Sequence, residues 1–209
     1  MKISKYAFID LDGTLVNSKL RHQQVLRDVL EVYDRGNLDI QDLMDYKEKG
    51  FSTRDYLIKI LLLEEDVAKK VAIKWGEKIE QEKYLKMDFW YQDALLFLQT
   101  LRAKGWKNIV LTARNNVDGV LKFIEKSDHI AYIDDIVVVK AENPVFEKER
   151  IIEKYSGIKI IIGDTETEYN VAENLSMQSF ILNRGFRNKH FWGNIETYDT
   201  LYDIVKLIQ

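Results

Sequence analysis

Five short apolar runs, each rich in β-branched residues and followed by polar ones, limit the folds open to this chain more than any other feature. The runs lie at 6–9, 108–111, 135–139, 158–162 and 179–182. Their apolar residues are continuous rather than alternating, which is typical of parallel strands covered on both faces. The runs therefore predict a parallel β-sheet with helices on both sides.

Helical spacing separates the later runs. Apolar residues recur every three or four positions in three segments, namely Leu95, Leu98 and Leu101; Val117, Val120, Leu121 and Ile124; and Ile151, Ile152 and Tyr155. Gly105 and Gly157 follow the first and third segments and predict where those helices end. Because helices alternate with buried strands, the sequence predicts an α/β fold with a doubly wound, Rossmann-like parallel sheet.

The segment 17–87 contains no convincing strand, and its apolar residues have helical spacing. Some seventy helical residues are too many for a single crossover between two strands. We therefore expect an α-helical cap at 17–87, inserted into a core domain formed by 1–16 and 88–209 and packed over the carboxyl edge of the sheet. The alternative left open is that some of these helices cover a face of the sheet.

The composition excludes several functional classes. The chain has no cysteine, so it can form neither a disulfide framework nor a thiolate zinc site, and it has no cysteine nucleophile. Its formal net charge of −3 gives no reason to expect a nucleic acid or a membrane as a partner. No stretch approaches the roughly 18 apolar residues of a membrane span, and the first apolar run is too short for a signal peptide. We expect a cytoplasmic protein.

The sequence Asp-Leu-Asp-Gly-Thr at 10–14 directly follows the first apolar run. This position predicts that Asp10 and Asp12 lie at the carboxyl end of the sheet, where α/β folds bind their ligands. Gly13 permits a tight turn and a close approach of the backbone. A calcium loop is excluded, because Leu15 and Arg21 occupy the positions where an EF-hand needs glycine and glutamate.

A second acidic segment follows the run at 158–162. Gly163 and Asp164 come directly after it, and Glu168 comes four residues later. If this strand neighbours the first one, Asp164 lies beside Asp10. Oxygen ligands from two loops suit Mg²⁺, which keeps several waters and needs few protein ligands.

Two further segments predict contacts to an anion. Thr112 ends the second run, and the amides that follow it, beginning at Ala113 and Arg114, open a helix whose N-terminus favours negative charge. Lys148 or Lys140 supplies a cation before the strand at 158–162. A nucleophilic carboxylate, a divalent cation, a fixed lysine and oriented donors are the parts that phosphoryl transfer requires.

These four segments resemble the four motifs of the haloacid dehalogenase (HAD) superfamily, in the same order and each after the expected strand. The helical insertion resembles the cap of the phosphoglycolate phosphatase-like branch. The resemblance implies that Asp10 is the nucleophile that becomes an aspartyl phosphate. It also implies that Asp12 is the general acid and base, with its backbone carbonyl on Mg²⁺.

The resemblance assigns roles to the remaining motif residues. Asp164 is implied as a Mg²⁺ ligand, with Glu168 in or next to the metal shell. A lysine is implied to neutralise Asp10, and Lys148 is favoured over Lys140 because it fits the start of a helix whereas Lys140 continues a strand. The residues expected around the phosphoryl group are Gly13, Thr14, Thr112, Ala113 and Arg114.

Within the superfamily, Asp12 favours a phosphatase or a phosphomutase. Both reactions have an alkoxide leaving group, which an acid at this position would protonate. We expect a Mg²⁺-dependent phosphatase acting on a small-molecule phosphate ester, as a monomer or homodimer. The alternatives are a phosphomutase that acts on a sugar phosphate and, less favoured, a binding protein without catalysis. Lys49 or Arg54 of the cap could bind an acidic leaving group, although a solvated loop is the favoured interpretation there.

Overall fold

The computed structural model describes residues 3–209, so the first two residues of the predicted core segment 1–16 lie outside the described residues. Its strands are β1 (Lys5–Ile9), β2 (Val16–Asn17), β3 (Phe89–Trp90), β4 (Trp106–Ala113), β5 (Asp135–Val139), β6 (Ile158–Gly163) and β7 (Gln178–Ile181). Five of them form one parallel sheet in the order β5-β4-β1-β6-β7. The predicted α/β fold class is therefore confirmed, and all five apolar runs lie within or overlap strands of this sheet.

Eleven α-helices are described between residues 3 and 209. They are α1 (Lys19–Val32), α2 (Leu43–Glu48), α3 (Thr53–Lys59), α4 (Glu65–Lys78), α5 (Glu82–Leu85), α6 (Ala94–Ala103), α7 (Val117–Glu125), α8 (Pro144–Ile152), α9 (Glu166–Asn174), α10 (Lys189–Trp192) and α11 (Leu201–Leu207). A short 3₁₀ helix spans Asp128–Tyr132. No helix in this range is long and apolar enough to cross a membrane.

Both faces of the sheet are covered, which explains the continuous apolar runs. Side chains alternate along a strand, so Ile9 of β1 faces one side and Phe8 the other, and both are fully buried. Apolar residues of α6, α7 and α11 pack on the first side. Residues of α8 and α9, such as Ile152 and Val171, pack on the second. Because both sides of the central strands are buried, their apolar residues are continuous rather than alternating.

The helices α1 to α5 have a separate apolar cluster. It is formed by residues between 25 and 84, among them Val25, Tyr56 and Val71. Neither of the clusters on the two faces of the sheet contains a residue between 19 and 85. These helices pack on one another rather than on a face of the sheet, and the exact domain boundaries at 17 and 87 stay a prediction.

A two-stranded antiparallel ribbon, which the sequence did not predict, connects these helices to the sheet. In this ribbon Val16 of β2 pairs with Trp90 of β3, and Asn17 pairs with Phe89. The chain therefore enters and leaves the helical segment through adjacent strands. Each strand has only two residues, too few for any periodic pattern.

One predicted helix was wrong in its bounds. The spacing of Ile151, Ile152 and Tyr155 predicted a short helix ending near Gly157, but α8 begins at Pro144 and ends at Ile152. Proline is favoured in the first turn because its missing N–H has no partner there in any case. Lys148 consequently lies in the middle of α8 rather than at its start. The predicted end of α6 is confirmed, since Gly105 follows it with a positive φ of 83°.

Trp90 anchors the ribbon to the core domain. Its ring stacks on Phe123, with centroids 5.4 Å apart, and on His129, with centroids 3.8 Å apart. We expect Trp90→Ala to lower the free energy of unfolding by about 2–3 kcal/mol, because it removes both aromatic contacts and leaves a cavity. Phe89→Ala is the matched control, since Phe89 is 48% exposed and its loss should cost less than about 1 kcal/mol. Urea unfolding of both variants tests this, and equal losses would contradict the anchoring role.

Candidate active site

The register of the sheet brings the predicted motifs to one edge. Ile9, the last residue of β1, pairs with Val110 of β4 and with Ile162 of β6. The Asp10 amide continues this pairing by donating to the Ile162 carbonyl at 2.9 Å. Asp10, Thr112 and Asp164 therefore lie at the carboxyl ends of three neighbouring strands, where the predicted topology placed them.

A cleft of about 140 Å³ opens at this edge. We call it the cleft; its lining residues are Asp10, Asp12, Thr112, Ala113, Pro144, Lys148, Thr165, Thr167, Glu168 and Phe186. Five of the residues predicted for catalysis or phosphate binding are among them, together with Glu168. Gly13, Thr14, Arg114 and Asp164 lie behind this surface, and each holds another residue in place.

Lys148 is buried between two carboxylates. It is 1% exposed, and its Nζ donates to Asp10 Oδ1 at 2.7 Å and to Glu168 Oε1. Burial opposes the charged form, but the two carboxylates outweigh it and raise the pKa of Lys148 above its ordinary value. Lys140, the other candidate, is exposed after β5. Of the two lysines, the structure brings Lys148 to Asp10.

Glu168 supports Lys148 and the start of α9. Its Oε1 accepts from Lys148, and its Oε2 accepts from the Thr165 hydroxyl at 2.8 Å. Thr165 and Glu168 form a capping box, which satisfies free amides at the helix N-terminus. This side chain holds the lysine directly, and its place in or next to a metal shell stays a prediction.

Asp164 lies in a close-fitting turn. Its carboxylate accepts from the Thr14 hydroxyl at 3.1 Å and from the Phe186 amide at 2.6 Å. Gly13 has a positive φ of 78°, and a Cβ atom there would lie 2.2 Å from Asp164 Oδ2. Glycine is therefore required both by the backbone conformation and by the carboxylate behind it. Gly13 and Thr14 position Asp164 in the structure, and their predicted contact with the phosphate stays a prediction.

The acidic groups at this edge carry more negative charge than Lys148 balances. Burial raises the pKa of Asp10 to about 7, although Lys148 opposes it. Burial, together with Asp10 and Glu168, raises the pKa of Asp164 well above 3.8. Buried carboxylates in excess of cations suit a divalent cation, whose charge would lower these pKa values again.

The donor set fits Mg²⁺ without forming a closed cage. Within residues 3–209 no three acidic or histidine side chains converge as a complete metal site. The predicted set needs only the carboxylates of Asp10 and Asp164 and the backbone carbonyl of Asp12. Mg²⁺ completes its shell with water and binds through few protein ligands, so these residues can hold it.

Asp12 is held by two arginines. Arg114 binds it through two contacts, Nε to Oδ2 and Nη2 to Oδ1, both 2.6 Å long, and Arg21 of α1 contacts Oδ1 at 2.6 Å. Both guanidiniums also contact Asp88, at 3.0 and 3.1 Å. Burial opposes ionisation of Asp12, but the arginines outweigh it and hold its pKa well below the usual range. Arg114, predicted at the phosphate, contacts these two carboxylates in the structure, and its contact with a phosphate stays a prediction.

A second cavity of about 400 Å³ adjoins the cleft, and the two share Thr165 and Phe186. Lys47 of α2 lines this second cavity and is only 8% exposed. Its Nζ donates to the Thr53 hydroxyl at 2.9 Å and lies 4.8 Å from the centre of the Trp75 ring. Burial, with a smaller contribution from Arg187, lowers the pKa of Lys47 to about 8.

Nothing in the sequence patterns above assigned a role to Arg21, Asp88 or Lys47. A signal for two of them exists: Arg21 has the same helical phase as buried Val25 and Val29, and Lys47 lies four residues after buried Leu43. A charged residue in phase with an apolar helix face is a candidate for a buried role. The cap residues singled out instead, Lys49 and Arg54, are exposed, and Arg54 pairs with Glu65 on the surface.

Comparison with known proteins places the chain in a family. The sequence profile of the haloacid dehalogenase-like hydrolases matches residues 7–182, which is most of the chain. The chain belongs to this family. The match spans every motif residue from Asp10 to Glu168, and it confirms the resemblance on which the residue assignments were based.

Solved structures share the fold over the whole chain. A predicted phosphatase from Clostridium acetobutylicum is 19% identical, with a TM-score of 0.74 over 99% of this chain and 98% of that one. A haloacid dehalogenase-like hydrolase from Streptococcus pneumoniae is 15% identical, with a TM-score of 0.77 over 99% of both chains. A predicted phosphoglycolate phosphatase from Haemophilus somnus is 19% identical, with a TM-score of 0.71 over 100% of both.

A curated protein matches a shorter segment. Succinyl-diaminopimelate desuccinylase from Nitratiruptor sp. is 29% identical over 91 residues, which are 44% of this chain and 24% of that protein. The chain thus spans about a quarter of the length of the curated relative it matches. The similarity is local, and the family assignment rests on the profile match.

Lys47 should destabilise the folded protein at neutral pH, because its charged form is buried without a carboxylate. We expect Lys47→Met to raise the free energy of unfolding by about 1–3 kcal/mol at pH 7. The difference in unfolding free energy between Lys47→Met and wild type should shrink as the pH rises from about 8 towards 10.5. In this range folded wild type binds fewer protons than its unfolded chain, so wild type gains stability as the pH rises. Urea unfolding at pH 7 and 9.5 tests this, with Lys49→Met as the control. A lower stability of Lys47→Met at pH 7 would contradict it.

Proposed function

We propose that this protein is a Mg²⁺-dependent phosphatase that hydrolyses a small phosphomonoester through an aspartyl phosphate on Asp10. The observation that carries the proposal is the contact between buried Lys148 and Asp10 at the floor of a cleft that Thr112 also lines. Family membership supports hydrolysis, and the excess of buried carboxylates supports a divalent cation.

In the first step an Asp10 carboxylate oxygen attacks phosphorus, the bond from phosphorus to the leaving oxygen breaks, and the alcohol departs with a proton from Asp12. Lys148 neutralises Asp10 and the phosphoryl oxygens, and Thr112 donates to the same oxygens. In the second step Asp12 accepts a proton from water, which attacks the phosphorus and releases phosphate from Asp10. Mg²⁺, when bound by Asp10, Asp164 and the Asp12 carbonyl, supplies charge stabilisation for the phosphoryl group.

The arginine contacts of Asp12 constrain this mechanism. A carboxylate paired with two guanidiniums stays ionised and cannot donate a proton. At least one ion pair must therefore open when substrate binds. Arg21 belongs to α1, so a movement of the helices α1 to α5 relative to the sheet would open its pair first. Movements of this kind gate many enzymes.

We also propose that the partner is a small-molecule phosphate ester and that the chain works in the cytoplasm as a monomer or homodimer. Its mildly acidic net charge supports a small ligand over nucleic acid. A phosphomutase would use the same residues and pass the phosphoryl group to a sugar. Products from a hexose phosphate separate the two reactions, since the mutase gives isomerised sugar with little free phosphate.

Asp10→Asn should abolish phosphate release from p-nitrophenyl phosphate, by roughly a thousandfold or more in kcat, because the amide cannot attack phosphorus. EDTA should abolish release by wild type, and added Mg²⁺ should restore it. Asp45→Asn, which changes an exposed carboxylate of α2, is the control and should keep full activity. Acid-quenched mass spectrometry should find phosphate on the peptide that contains Asp10. Undiminished release by a folded Asp10→Asn protein would overturn the mechanism.

Arg21→Met should change activity according to the leaving group. An alkyl phosphate needs a proton from Asp12, whereas p-nitrophenolate leaves without one. Because the substitution removes one of the two cations that keep Asp12 ionised, we expect the kcat ratio of propyl to p-nitrophenyl phosphate to rise several-fold. Arg21→Lys keeps a positive charge and should leave the ratio closer to that of wild type. If Arg21→Met alters both esters by the same factor, Arg21 does not act through Asp12.

A further inference from the structure

The cleft is smaller than a whole phosphomonoester substrate needs. Its volume of about 140 Å³ compares with the roughly 300–1,000 Å³ typical of small-molecule sites. The second cavity, at about 400 Å³, adjoins it, and Thr165 and Phe186 line both. For an ester whose phosphoryl group lies against Asp10, the second cavity is the neighbouring space that could take the leaving group.

The second cavity contains a cation with no acidic partner. Lys47 Nζ has three donors, and the hydrogen bond to Thr53 uses one of them. Among residues 3–209 no carboxylate lies within 4 Å of this ammonium group, whereas Lys148 of the cleft contacts two. Lys148 therefore already has its counter-ions, whereas Lys47 has none.

The other charged groups around the second cavity do not compensate Lys47. Arg187 pairs with Glu166 at 2.6 Å, so these two charges balance each other. Burial, with Lys47 and Arg21, lowers the pKa of His22 well below 6.5, so its imidazole is neutral at pH 7. The Nδ1 atom of His22 has no hydrogen-bond partner in the described part of the chain. The cavity thus holds one unbalanced positive charge and a neutral hydrogen-bonding group.

A buried charge without a counter-ion is costly, and replacing it with an apolar side chain usually stabilises a fold. Groups of this kind persist at sites where a ligand completes the pairing. Trp75 offsets part of the cost through its ring face but supplies no negative charge. The missing partner of Lys47 is therefore an anion that enters the second cavity.

We propose that the second cavity binds an anionic group on the leaving side of the substrate, a carboxylate or a second phosphate, and that Lys47 is the residue that selects for it. The proposal rests on the proposed function and narrows its substrates to phosphomonoesters with a second negative charge. Lys47 touches this remote group and not the reacting phosphoryl group, so it determines specificity rather than chemistry.

Three esters test the proposal: propyl phosphate, the phosphate ester of 3-hydroxypropanoate, and 1,3-propanediol bisphosphate. Wild type should prefer at least one of the two anionic esters to propyl phosphate by roughly tenfold or more in kcat/KM. Lys47→Met should bring that preference close to one, mainly by raising KM, and Lys47→Arg should retain most of it. Lys49→Met is the control, because Lys49 is exposed beside Tyr46 and should leave the preference unchanged.

Each outcome decides the question. A preference for only one anionic ester identifies the carboxylate or the phosphate as the partner of Lys47. Equal use of all three esters by wild type, or an unchanged preference in Lys47→Met, overturns the proposal. Calorimetry with Asp10→Asn, which cannot turn over, separates it from the proposed function. Wild type that releases no phosphate at all would contradict the proposed function only. The proposal about Lys47 would still require the anionic ester to bind the Asp10→Asn protein at least roughly tenfold more tightly than the double variant Asp10→Asn, Lys47→Met.

Discussion

The site depends on a lysine that is buried between two carboxylates. Lys148 lies on α8, Asp10 follows β1 and Glu168 lies on α9, so one ammonium group joins three elements around the edge of the sheet. None of the three groups is stable alone in this environment, because each would be an unpaired charge away from water. The contact therefore fixes the position of the candidate nucleophile relative to both helices that cover this side of the sheet.

Two buried cations of the helices α1 to α5 differ in how their charge is balanced. Arg21 is balanced by Asp12 and Asp88, whereas Lys47 has no acidic partner. The balanced contact holds the helices against the motif residues. Lys47 leaves a positive charge without a counter-ion in the second cavity. The movement proposed for these helices would break the contacts of Arg21, because its partners Asp12 and Asp88 lie outside α1 to α5.

Much of the site was predictable, because each motif residue lies within a few positions of a strand end. Asp10 and Asp164 follow buried strands and Thr112 lies in the last two residues of one, and parallel strands bring such positions to one edge. The active-site lysine could be narrowed to Lys148 or Lys140. The role of Arg114 and of Thr14 was not predictable, because their partners lie 102 and 150 residues away in the sequence. The ribbon of β2 and β3 was missed because two-residue strands carry no pattern.

By itself the sequence determined the α/β architecture, the parallel sheet, the helical insertion and the acidic edge, since these depend on local periodicity and on residues next to strand ends. Only the tertiary structure decided which charges meet. The packing of α1 decides that Arg21 meets Asp88. The packing of α2 decides that Lys47 lines the second cavity and not the cleft. Pairing in a buried site is decided by distance in space, and no local pattern encodes which charges will be paired and which will remain free for a ligand.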